Sequence, residues 1–98
     1  MQIAQLLSPQ WPLSFYRTAT GAKMNVVAER GNRRPGFEIK LSSVPTLSKG
    51  FWSAMKDLQL EQAYVVAPVE TAYPLAKKVE VLPATDVAQL CASLKDGL

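Results

Sequence analysis

Two stretches of alternating polar and apolar residues dominate the chain. Across Lys23-Met24-Asn25-Val26-Val27-Ala28-Glu29, period-two spacing puts Lys23, Asn25, Val27 and Glu29 on one face of a strand and Met24, Val26 and Ala28 on the other. From Phe37 to Ser42, the same spacing sets Phe37, Ile39 and Leu41 against Glu38, Lys40 and Ser42. A polar turn from Arg30 to Gly36, bearing Gly and Pro, joins the two as a hairpin. Pairing places Asn25, Glu38 and Lys40 in one cluster.

The remaining pattern predicts elements on either side. Gln2 to Leu7 reads as the tail of a helix, with Ile3, Leu6 and Leu7 on one face before Pro9 and Pro12. Leu13 to Thr20 reads as a first strand and Thr20-Gly21 as a turn, completing an antiparallel meander. After Pro45, a Thr46 or Ser48 cap opens a helix to about Leu58, since Leu47, Phe51, Ala54, Met55 and Leu58 recur at helical spacing. Ala63 to Ala67 has no polar face. It fits a strand covered on both sides, joined to the meander by a parallel, right-handed crossover. Pro68 to Pro74 reads as a loop and Lys77 to Leu82 as a short strand. Val87, Leu90, Cys91 and Leu94 form the stripe of a closing helix that ends near Gly97.

Composition narrows the classes. Ninety-eight residues, 48% of them hydrophobic, make one small ordered domain. A net charge of +3 permits an acidic partner without requiring one. The single cysteine, Cys91, excludes an internal disulfide and fits a reducing compartment. No apolar run reaches the roughly 20 residues of a membrane span, and no signal-peptide pattern opens the chain, so the expectation is a cytoplasmic protein without a membrane partner. With no histidine in the chain, histidine-assisted Ser or Cys catalysis and histidine metal sites are excluded. No Gly-x-x-x-x-Gly-Lys-Ser/Thr phosphate loop occurs, so this polypeptide is not itself a P-loop ATPase.

The runs Phe15-Tyr16-Arg17-Thr18, Thr20-Gly21-Ala22-Lys23-Met24-Asn25 and Phe37-Glu38-Ile39-Lys40-Leu41-Ser42-Ser43 together resemble the C-terminal domain of a large group of prokaryotic AAA-type ATPases. That domain is similar to the restriction-endonuclease-like, PD-(D/E)xK fold. The resemblance extends over nearly the whole chain, through Gly50-Phe51-Trp52, Tyr64 to Pro68, Tyr73-Pro74-Leu75 and Val79 to Pro83. It implies an α/β domain with a mixed central sheet, in the order helix, three-strand meander, helix, strand, then a C-terminal strand and helix. It also implies that the chain is a fragment or detached C-terminal domain of a larger ATPase, with an ATPase domain encoded upstream as partner.

In active nucleases of this fold, two carboxylates hold a divalent metal that polarises the scissile phosphate, and a lysine orients the attacking water. The resemblance assigns Glu38 and Lys40 to the catalytic positions, with Glu38 and Asn25 at the metal. Asn25 stands where the family pattern has an acid, and residues 1 to 12 hold no first-helix acid. Two of three possible acidic ligands are therefore missing. The expectation is a non-catalytic accessory or interaction domain with a degenerate nuclease site and no cofactor. The alternative is a metal-dependent phosphodiesterase acting on DNA or RNA, using Mg or Mn with Asn25 as a carbonyl ligand. A third reading is a purely structural domain.

The basic residues carry paired readings. Arg17, Arg30, Arg33 and Arg34 are the candidates for contacting a nucleic-acid backbone. Set against that, Arg17 serves equally as a partner for Glu38 or Glu29, and charges on a hairpin tip commonly only solvate the loop. Trp11 reads as a plug between helix and strand, and Trp52 as core or interface.

Overall fold

The computed structural model describes residues 11–96, with side chains through Ser93. The helix expected over Gln2 to Leu7 lies outside the described residues. Six strands, β1 (Leu13–Arg17), β2 (Lys23–Ala28), β3 (Gly36–Ile39), β4 (Ala63–Val66), β5 (Tyr73–Ala76) and β6 (Val79–Leu82), form one mixed sheet in the order β1-β2-β3-β4-β6-β5. Helix α1 (Lys49–Asp57) lies between β3 and β4 in the chain, and α2 (Val87–Asp96) follows β6 through a 3-10 turn at Ala84–Asp86. The meander β1-β2-β3 is antiparallel, β3-β4 and β4-β6 are parallel, and β5 closes the far edge antiparallel to β6.

Each helix covers one face of the sheet. Ser48 caps α1, its hydroxyl accepting from the Phe51 amide at 3.1 Å. The buried side of α1, Phe51, Ala54 and Met55, packs with Met24, Val27, Val65 and Val81. On the opposite face, Val87 and Cys91 of α2 pack with Trp11, Phe37, Val66 and Leu82. Strand β4 supplies Val65 to one layer and Val66 to the other, which is why it shows no polar face. The first turn of α1 lies against the β1-β2 turn so closely that a Cβ on Gly50 would collide with the Gly21 carbonyl oxygen. Only glycine fits there.

Several sequence expectations need correction. The first strand stops at Arg17 rather than Thr20, because Thr18 turns the chain, accepting the Ala22 amide on its hydroxyl and the Gly21 amide on its carbonyl. Tyr73-Pro74, expected in a loop, belongs to β5, and the strand expected from Lys77 begins at Val79. Lys77-Lys78 is the hairpin turn between them, with Lys78 at φ 70°. Proline is tolerated in β5 because an edge strand need not donate its outward amide.

The alternation in β2 is also interrupted. Tyr16 pairs with Met24 and Ser14 with Val27, so three steps on β2 match two on β1 and an extra residue bulges at Asn25-Val26. Met24 and Val27 consequently share the α1 face, while Val26 and Ala28 turn to the other.

Candidate functional site

The bulge shapes the neighbourhood of Asn25. Strands β2 and β3 pair only at Val26-Phe37 and Val27-Gly36. Beyond that point side chains take over the cross-strand bonding. The Asn25 amide donates to Glu38 Oε1 at 3.1 Å, and the Ile39 amide donates to Asn25 Oδ1 at 2.9 Å. Each side chain thus holds the backbone of the opposite strand where the bulge has opened the ladder.

Glu38 is only 3% exposed and shares the α1 side of the sheet with Met24 and Val65. Its second oxygen, Oε2, lies 3.6 Å from Lys40 Nζ, and the Lys40 side chain remains partly exposed. Charge pairs on a strand face are commonly solvated; here the carboxylate is buried and only the Lys40 side chain keeps contact with water. On the other face of the alternation Phe37 is buried, whereas Ile39 at 43% and Leu41 at 94% are exposed. Period two tells which residues share a face and leaves open how far along the strand each face is covered. Here β3 ends at Ile39, and Leu41 projects from the segment that leads to α1.

Asn25, Glu38 and Lys40 therefore do come together. The basic residues divide between the two ends of the hairpin. Arg17 pairs in register with Lys23 at the same end as Asn25, is exposed, and forms no ion pair among the described residues. Its expected acidic partners are engaged elsewhere, Glu38 with Lys40 and Glu29 with Arg34. Arg30, Arg33 and Arg34 lie at the opposite end. Arg30 and Arg33 exchange backbone hydrogen bonds of 2.9 and 3.0 Å around Gly31, whose φ of 61° suits the first central position of a tight hairpin turn. The Arg33 guanidinium sits 5.7 Å from the ring centre of buried Trp11. Arg34 Nε donates to Glu29 Oε2 at 2.8 Å, and its Nη1 to the Leu58 carbonyl at 2.9 Å.

Two hollows accompany these ends. Beside the basic turn is a polar one of about 310 Å³, lined by Asn32, Arg33, Arg34, Gln59, Gln62 and Tyr64. Burial first, and then the Glu80 carboxylate, push the Tyr64 phenol up from its ordinary value, while Arg33 acts the other way. The second hollow, about 460 Å³, is mainly apolar and lies beyond the carboxyl ends of the three parallel strands, where Ile39, Lys40, Val66, Pro68, Glu70 and Thr85 meet. Open α/β sheets commonly use that position for ligands.

Some contacts escaped sequence reasoning. Tyr16 donates to Asp57 Oδ2 at 3.1 Å, tying the edge strand to the end of α1; burial and this carboxylate raise its pKa. Trp11 places its indole N–H in the core without an acceptor among the described residues. Trp52, read as core or interface, meets Phe51 edge to face and remains 41% exposed. Among the described residues, no three His, Cys, Asp or Glu side chains converge as a metal cage.

Residues 1–87 match the family described as a domain of unknown function (DUF4143). The chain belongs to this family. Uncharacterized proteins of Mycobacterium bovis and Mycobacterium tuberculosis are each 40% identical to it over 86 residues, which cover 88% of this chain and 19% of the relative. The chain thus spans about a fifth of the length of the curated relatives it matches. No solved structure matches it. No helix among the described residues is long and apolar enough to cross a membrane.

Proposed function

We propose that this domain is a non-catalytic accessory or interaction module of an AAA-type ATPase, built on a restriction-endonuclease-like core whose nuclease site is degenerate. One observation carries the reading. Both oxygens of Glu38 are engaged within the protein, Oε1 by the Asn25 amide and Oε2 by Lys40, on a side chain that is 4% exposed. Divalent magnesium binds through hard, charged oxygens and retains most of its waters, which calls for open carboxylates. Asn25 contributes a neutral oxygen already accepting from Ile39. The site residues act as a clasp on the β2 bulge.

The architecture agrees with that core, in that an antiparallel meander leads through a helix into a parallel strand. The relatives extend far beyond the matched segment, which leaves room in them for an ATPase domain. Any nucleic-acid contact is weak in this reading, because Arg33 and Arg34 already serve Trp11, Glu29 and Leu58.

Calorimetric magnesium and manganese titrations with a plasmid-nicking assay, on the native chain and Asn25→Asp, test the degenerate site. The native chain is expected to bind magnesium no more tightly than about millimolar and to leave DNA intact, while Asn25→Asp binds the metals more tightly. Metal-dependent cleavage by the native chain that disappears in Glu38→Ala would establish the phosphodiesterase instead. For the ATPase association, ATP hydrolysis and assembly are measured on a full-length mycobacterial relative with and without the matched segment. A relative that hydrolyses no ATP would sink that part of the reading.

A further inference from the structure

The two edges of the sheet are built differently. At the β5 edge, Tyr73 pairs with Val81, Pro74 with Glu80 and Ala76 with Val79, so the edge strand itself carries an extra residue as well as a proline, and it runs into Lys77 and Lys78. Proline, a bulge and lysines are devices that stop a sheet from recruiting another strand. Within Leu13–Arg17 the β1 edge has none of them, and the flanking Pro12 is turned toward β2, accepting the Glu29 amide. Its strand reads Leu-Ser-Phe-Tyr-Arg, the bulge at that side lies on β2, and Phe15 is 82% exposed.

Backbone bonding determines which groups this edge offers. Glu29 donates to Pro12 and Thr18 to Ala22 across the hairpin, so the even-numbered positions of β1 face β2. By the alternation of antiparallel ladders, Leu13, Phe15 and Arg17 direct their amide and carbonyl groups outward. That set is symmetric about Phe15. We propose that β1 is a self-association edge, on which a second copy of this chain pairs antiparallel through a two-fold axis at Phe15 and continues the sheet across both molecules.

The second copy fits better than an arbitrary strand because the edge complements itself. With Phe15 opposite Phe15 of the second copy, every outward amide of Leu13, Phe15 and Arg17 meets an outward carbonyl. Each Arg17 then faces a leucine rather than another arginine, so no like charges are opposed. The two phenylalanines become cross-strand neighbours on one face, removing from water the largest exposed aromatic of the strand. The inference is independent of any metal or nuclease reading.

Cysteine crosslinking tests the register. Opposed residues in such a pair have Cα atoms about 5.5 Å apart, within disulfide range. Phe15→Cys is expected to oxidise to a covalent dimer, with the native chain, whose Cys91 is buried, as background. Leu13→Cys and Arg17→Cys should each form no covalent dimer alone and crosslink when mixed. Sedimentation across a wide concentration range should show a native dimer. Phe15→Pro, which removes only an outward amide, should weaken that dimer at least tenfold while retaining the native circular dichroism spectrum. A native chain that remains monomeric at the highest concentration, or a dimer that Phe15→Cys fails to crosslink, overturns the proposal.

Discussion

The two ends of the β2-β3 hairpin put polar residues to different uses. At the Asn25 end the side chains are bound into the sheet, with the Asn25 and Ile39 amides satisfied by Glu38 and Asn25 and one carboxylate buried. At the Arg30 end the turn closes through backbone bonds, and Arg33 and Arg34 lie over its outside on Trp11, Glu29 and Leu58. A cluster that resembles a catalytic site by residue type thus has a clear structural occupation. The end that resembles a simple charged loop carries the groups nearest to solvent. Residue type alone would rank the two the other way.

The largest expected effect lies at the basic end, in the anchor beneath the arginines. Trp11 is buried among Ala28, Phe37, Val66 and Leu82. Trp11→Ala should cost about 3–5 kcal/mol in urea unfolding. A loss below about 1 kcal/mol would show that the turn is held by its backbone bonds alone.

At the opposite end, Glu38→Ala strips the Asn25 amide of its acceptor and Lys40 of its counter-charge, at a cost of roughly 2–3 kcal/mol. Glu38→Gln keeps an acceptor and should cost about half as much. Equal losses for the two variants would mean that charge, rather than the clasp on the bulge, matters.

Arg34→Ala should cost no more than about 1 kcal/mol, because its ion pair with Glu29 is solvent-exposed on both sides. If nucleic acid binds at all, replacing Arg30, Arg33 and Arg34 by Ala should flatten the salt dependence by about one unit of log-log slope per lost phosphate contact. Unchanged slope would remove this end from any interface.

The smallest effect is alkaline. Tyr16 and Tyr64 both have raised folded-state pKa values, so folding makes them hold their protons more tightly. The stability they contribute is complete below the ordinary phenol range near pH ~10 and is lost as pH rises through the folded values. Tyr16→Phe should reduce that alkaline loss in denaturant midpoints measured across pH.

Legibility in the sequence followed local periodicity. Helix α1 was readable from Phe51, Ala54 and Met55 together with the Ser48 cap, and β4 from its unbroken apolar run. The grouping of Asn25, Glu38 and Lys40 followed from pairing two alternating strands. The bulge was hidden because Lys23 to Glu29 alternates well enough for a regular strand, and only tertiary register shows that Met24 and Val27 share a face. Burial of Glu38 depends on where α1 lies, which its own strand does not encode. Strand β5 was obscured by Pro74, whose meaning depends on its place at an edge.

The contact between Gly50 and the Gly21 carbonyl bears on where this domain can accept new sequence. Surface turns are normally where insertions and labels are absorbed. The β1-β2 turn is an exception: helix α1 rests on its backbone, and added residues there would lift the helix from the sheet. The turn at Gly31 has open space around it, with nothing within 4 Å of where a side chain would start. A peptide tag or protease site inserted between Gly31 and Asn32 should leave the domain folded, whereas the same insert after Gly21 should unfold it.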